Sequence, residues 1–215
     1  MSRSPIGSGR RKPQRRHQRR RFLIACEGQK EVAYFKWLSK RLSGNIVLKP
    51  VQRKSAPEHV LDLAIHERDS DRQAARESGD PDDTYDGVWI VVDVDEHAHL
   101  NQTLVKAGKV GIDSAVSGPC FEVWLILHCE DRRAAYTAPK AVKDHWGNIV
   151  GSGRTTQQEL DHLDGHLADA MTRAAALLTQ HASDGLSRDR RNPSTEVGLL
   201  VRVIVDAAGI DPDQL

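Results

Sequence analysis

Residues 88–97, Val-Trp-Ile-Val-Val-Asp-Val-Asp-Glu-His, place four ionisable side chains in five positions directly after five apolar ones. Asp93 and Asp95 are two apart, and alternate residues of an extended chain point the same way, so both carboxylates fall on one side. Carboxylates held together repel unless a cation, a proton or a basic side chain offsets them, and oxygen-only ligation suits a hard ion such as Mg²⁺ or Mn²⁺. The plainer alternative is a pair of solvated turn acids that cap a following helix. Val88 to Val92 reads as a strand buried on both faces. The carboxyl ends of strands in an open α/β sheet open into the ligand crevice, which is where this acidic pair would sit.

The same pattern, an apolar run and then an acid, occurs earlier. Phe22 to Cys26 ends directly in Glu27-Gly28; Gly28 allows a tight turn, and Lys30 to Leu42 then spaces Val32, Phe35, Leu38 and Leu42 on one helical face. Ile46 to Val51 reads as a second strand and Pro57 opens a helix to about Glu77. After the central strand, Ala98 to Lys109 fits a helix and Gly111 to Val116 a fourth strand. This β-α-β-α-β-α-β order implies a mostly parallel sheet covered by helices.

Cys120 to His128 is an apolar run interrupted by Glu122, and its length favours a buried helix entered at Pro119 or Cys120. Left unpaired there, Glu122 would cost several kcal/mol, so it must meet a cation, a hydrogen-bond donor or the crevice. Residues 130–154 are polar, with Tyr136, Lys140, Lys143, His145 and Trp146 interspersed; a surface helix explains them as well as a nucleic-acid grip does. Thr156 to Thr179 reads as one long helix with His162 and His166 four apart on one face, but no third zinc ligand accompanies them. Arg188, Arg190 and Arg191 precede Asn192-Pro193-Ser194-Thr195, a basic loop leading to a helix that ends near Ala208. A helix N-terminus with Ser194 and Thr195 beside three arginines would favour an anion, such as a nucleic-acid phosphate.

The net charge of +1 hides a division. Nine of the 31 Lys and Arg lie in residues 1–21, which hold no acid, leaving 22 bases against 30 acids, about −8, for the rest. A basic arm of low hydrophobicity is expected to be disordered when free and suits polyanions through counterion release; the alternative is a solubilising arm lying on the acidic body. Three scattered cysteines form no disulfide framework, and no apolar run approaches the roughly 20 residues that span a bilayer. A reduced, cytoplasmic protein with no membrane association is the expectation.

A lone Glu after the first strand with Asp-x-Asp after the third resembles the Toprim fold, the metal-binding domain of topoisomerases, primases and several nucleases. More narrowly, Cys26-Glu27-Gly28, Asp93-Val94-Asp95-Glu96-His97, Pro119-Cys120-Phe121-Glu122-Val123-Trp124 and Asn192-Pro193-Ser194-Thr195 are similar to four segments of the RloB-like family, a Toprim-type group associated with bacterial defence against phage. Two departures stand out: one residue is missing between Lys30 and Glu31, and Gly118 replaces a usual Asn. The resemblance implies a Toprim-like α/β core over residues 22–129; composition sets a basic, disordered arm over 1–21 before it, and helical spacing a mostly helical C-terminal part over 130–215 after it.

The resemblance also implies a Mg²⁺- or Mn²⁺-dependent nuclease acting on RNA, tRNA among the candidates, rather than DNA, as a defence effector with a possible partner protein or homo-oligomer. Asp93, Asp95 and Glu27 are the expected metal ligands, Glu27 also a candidate base, Glu122 a fourth acid, and Lys30 and His97 electrostatic or proton-transfer helpers. The competing expectation is a non-catalytic nucleic-acid-binding subunit of a defence complex whose acids form a regulatory metal site.

Overall fold

The computed structural model describes residues 19–42, 44, 46–80, 83–94, 99–151 and 153–215. Residues 1–18, Asp95 and His97 lie outside them, so the expectations that rest on those positions are not addressed by the geometry below.

The chain is α/β, with one five-stranded sheet in the order β2-β1-β3-β4-β5. Strands β1 (Arg20–Cys26), β2 (Ile46–Gln52), β3 (Gly87–Asp93) and β4 (Asp113–Gly118) run parallel, and the two-residue β5 (Ser194–Thr195) closes one edge antiparallel to β4. Among the described residues eight α-helices surround it: α1 (Gln29–Arg41), α2 (Pro57–Glu77), α3 (Leu100–Lys109), α4 (Glu122–Cys129), α5 (Pro139–Val150), α6 (Thr156–Leu160), α7 (Leu167–Ser183) and α8 (Val197–Ala208). No described helix is long and apolar enough to cross a membrane.

Strand alternation sets the two layers. Leu23, Ala25, Val88, Ile90 and Val92 face α2 and α3, whereas Phe22, Ile24, Cys26 and Val91 face the core shared by α1, α4, α7 and α8. Phe22–Cys26 of β1 and Val88–Val92 of β3 are therefore apolar on both faces, as their sequences indicate. Helix α4 sits inside that second core, with seven of its eight residues buried and Trp124 at 0 % exposure. Burying each large apolar side chain contributes roughly 1.5–3 kcal/mol, so the residues from Phe22 through Val205 cohere as one cluster.

Several sequence boundaries change. Arg20 and Arg21 belong to β1, not to a free arm: Arg21 donates to Asp71 at 2.6 Å and to Asp83 at 3.2 Å and lies over the Tyr85 ring. β4 begins at Asp113 rather than Gly111, because Gly111 (φ +69°) turns the chain after α3. The long helix expected from Thr156 is broken. A single 3₁₀ turn (Asp161–Leu163) and Gly165 at φ +79° separate α6 from α7, so His162 and His166 share no helical face.

Candidate functional site

Parallel pairing of β1 with β3 sets Cys26 beside Val91, and the ladder continues one step further with the Glu27 N–H donating to the Val91 carbonyl at 3.2 Å. The Glu27 side chain then reaches across: the Asp93 N–H donates to its Oε2 at 3.4 Å. The glutamate after the first strand and the aspartate ending the third thus meet at the carboxyl edge of the sheet, as the sequence pattern implies.

Asp93 is a part-buried residue whose Oδ1 is shut off from solvent with no hydrogen-bond partner among the described residues. Its carboxyl is held well above the usual range, first by burial and then by repulsion from Glu31, Glu27 and Glu122, with the Lys143 charge opposing. Glu122 occupies the first turn of α4 and is 7 % exposed. The cation it requires is Lys30, 3.7 Å away; Lys30 also donates to Glu159 Oε2 at 3.1 Å. Trp146 of α5 donates its indole N–H to the same Glu159 oxygen at 3.2 Å. Lys30 therefore joins the acidic edge to the C-terminal elements, which is a more specific placement than that of a surface lysine.

Glu31, to which the sequence reading gives no role, belongs to this group. It is 4 % exposed, and burial, with repulsion from Glu122 and Glu27, raises its pKa to about 7, while the backbone N–H groups of Glu31 and Gly28 pull the other way. As the third residue after Gly28 it reaches back to the start of α1, the acceptor half of a capping box. Gly28 makes this possible, because a Cβ there would run into the Glu31 carboxylate. Gly-x-x-Glu at a helix start is the signal that identifies it. Glu159 has no such local signal.

No three His, Cys, Asp or Glu among the described residues stand where they could jointly hold a metal ion. The donor chemistry nevertheless fits a hard divalent ion: carboxylate oxygens in mutual repulsion, one of them buried with no partner among the described residues. Asp93 and Glu27 are the described residues that could bind it.

The expected phosphate site at Arg188, Arg190, Arg191, Ser194 and Thr195 has another occupant. Glu196, the residue before α8, takes the anion's place: its Oε2 accepts from the Val116 N–H at 3.1 Å, and Arg188 grips both its oxygens, Nε to Oε1 at 2.8 Å. Arg191 stands 3.8 Å from Oε1. Ser194 and Thr195 are buried in β5, where the Thr195 and Ser117 hydroxyls bond at 2.9 Å. These four residues serve the fold, and of the five only Arg190 is exposed. Gly118, the departure noted above, is required locally, since a Cβ there would meet the Arg191 carbonyl.

His128 is a core residue. Burial pushes its pKa down to about 4, leaving it neutral, so its Nδ1–H donates to the Trp124 carbonyl at 2.9 Å.

No curated protein and no solved structure matches the chain. A family model described as RloB-like protein matches residues 22–204, nearly the whole described chain from β1 into α8, and the chain accordingly belongs to the RloB-like family.

Proposed function

We propose that this protein is a Mg²⁺- or Mn²⁺-dependent nuclease that hydrolyses phosphodiester bonds in RNA as an effector of defence against phage. The observation that carries the reading is the meeting of Glu27 and Asp93 at the carboxyl edge of the sheet, with Asp93 Oδ1 buried and without a partner among the described residues. Asp93, Asp95 and Glu27 would hold the ion. When bound, a divalent ion there offsets charge on the phosphodiester and lowers the pKa of a coordinated water.

The chain's own residues supply the rest. Lys30 Nζ, held between Glu122 and Glu159, offers a fixed positive charge beside the acids to a phosphate oxygen. Glu31, titrating near neutral pH, can hold or release a proton at its carboxylate. The preference for RNA and the defence role rest on family membership.

The test is purified protein with Mg²⁺ or Mn²⁺ against total RNA, plasmid and oligonucleotides, beside Asp93→Ala and Glu27→Gln, with calorimetric titration of the ion in parallel. The expected outcome is metal-dependent cleavage, reduced at least about a hundredfold in either variant, and ion binding lost in Asp93→Ala. Cleavage that survives chelator or the Asp93→Ala change rejects the assignment.

A further inference from the structure

We propose that the protein pairs with a second copy of itself through the outer face of α8. Two of the four large apolar side chains exposed among the described residues, Leu199 (50 %) and Val203 (42 %), lie one turn apart on this helix. Arg202 and Asp206 are exposed beside them. Positions 199, 202, 203 and 206 follow the i, i+3, i+4, i+7 spacing of a single helical face. Next to this face, α7 and α8 leave a groove of about 90 Å³ bordered by Met171, Ala174, Ala175 and Leu178. That volume admits a small branched aliphatic side chain.

The charges select the occupant. In an antiparallel pair of α8 helices related by a two-fold axis beside Arg202 and Val203, Leu199 of one copy comes level with Asp206 of the other. Arg202 then lies about 4.5 Å along the axis from the other copy's Asp206, within reach of a guanidinium. Because the contact is isologous, the ion pair forms twice, once on each side of the apolar stripe. An acidic or a basic partner would match only one of the two charges, whereas a second copy matches both.

The isolated helix leaves these charges poorly served. Asp206 lies in the last turn of α8, where the carbonyl end of the helix disfavours an acid, and that turn holds no basic residue. Arg preceding Asp by four is the weaker orientation of such a pair, and among the described residues neither side chain forms an ion pair. A guanidinium from another copy satisfies Asp206 from outside. The stripe is small beside the roughly 1,200–2,000 Å² of a stable interface, so the dimer is one that dissociates on dilution.

The experiment is sedimentation equilibrium of the full chain from micromolar to near-millimolar concentration, for wild type, Arg202→Asp, Asp206→Arg and the double variant carrying both. All four positions of the face are solvent-exposed, and circular dichroism with a melting curve verifies that each variant is folded. Wild type is expected to pass from the mass of one chain to that of two. Each single reversal should weaken the dimer about tenfold or more, and the double reversal should restore it. A single-chain mass throughout, a dimer unmoved by the single reversals, or a double variant that stays monomeric overturns the proposal.

Discussion

Asp93 and Glu196 stand almost in line across the same sheet. Asp93 pairs in register with Ser117, Ser117 with Thr195, and Glu196 is the next residue along. Their surroundings differ completely. Both oxygens of Glu196 are gripped by Arg188, Arg191 stands behind, and the Val116 N–H completes the set. Asp93 has a buried oxygen with no partner among the described residues, and it feels the repulsion of Glu31, Glu27 and Glu122 with the Lys143 charge opposing. A buried acid whose needs are met internally stabilises the fold, while one surrounded by its own kind is held there at a cost that a proton or a cation must offset.

This contrast predicts opposite responses to losing the charge. Glu196→Ala strands Arg188 and removes the acceptor of the Val116 N–H. Arg188 is about one third exposed and can rehydrate in part, so the expected loss is about 3 kcal/mol. For a chain of this length that lowers the melting midpoint by on the order of 10 °C. Asp93→Asn, by contrast, removes repulsion, and without divalent ions its midpoint should equal or exceed that of wild type. Calorimetric melts of the two variants decide the matter: a similar loss in both would erase the distinction.

What the sequence reveals follows the range over which each interaction is encoded. Glu27 and Asp93 were legible because a parallel sheet brings the ends of adjacent strands together whatever lies between them. Glu122 was legible as a polar residue in an apolar run, and its need of a cation is met by Lys30. Glu31 was missed because its burial depends on the backbone at Gly28, and Glu159 because 129 residues separate it from Lys30. Arg188 and Arg191 do hold an anion, but it is the chain's own Glu196, the residue directly after Asn192-Pro193-Ser194-Thr195, and not a phosphate; a basic loop next to a helix start does not by itself distinguish the two. Helix periodicity ran through Gly165 because apolar spacing resumes on its far side, while only backbone geometry exposes the break.

An effect that reaches similar size only at the upper end of a pH window comes from Glu31. Glu31 keeps its proton in the folded state up to about pH 7, whereas the unfolded chain releases it near 4.5. The folded state therefore binds the extra proton between these values, and stability falls as pH rises across that window, by up to roughly 3 kcal/mol. His128 acts in the opposite sense. Held down to about 4 from 6.5, it contributes stability present above 6.5 that is lost as pH falls. The two partly cancel, so the measurement is the difference between wild type and Glu31→Gln in urea melts from pH 4.5 to 7.5. Wild type should lose ground relative to the variant with rising pH, and Mg²⁺ should reduce that loss by taking the proton's place among the acids. A difference that stays flat with pH would mean that Glu31 is ionised throughout.

The smallest expected effect tests the boundary between the two kinds of environment, at Glu159. Its carboxylate accepts from Trp146 and pairs with Lys30, which also faces Glu122. Glu159→Gln keeps an acceptor for the indole N–H and removes only the charge opposite a side chain that is 29 % exposed. Solvent screening at that exposure limits the loss to less than about 1 kcal/mol, a shift of a few degrees at most in a melting curve. Lys30 then has Glu122 as its remaining acidic partner of the two, so the variant should melt close to wild type. A loss as large as that of Glu196→Ala would show instead that the C-terminal elements brace the acidic edge as firmly as the arginines brace β5, and the acids would then be better explained as part of the structural core than as a site awaiting an ion.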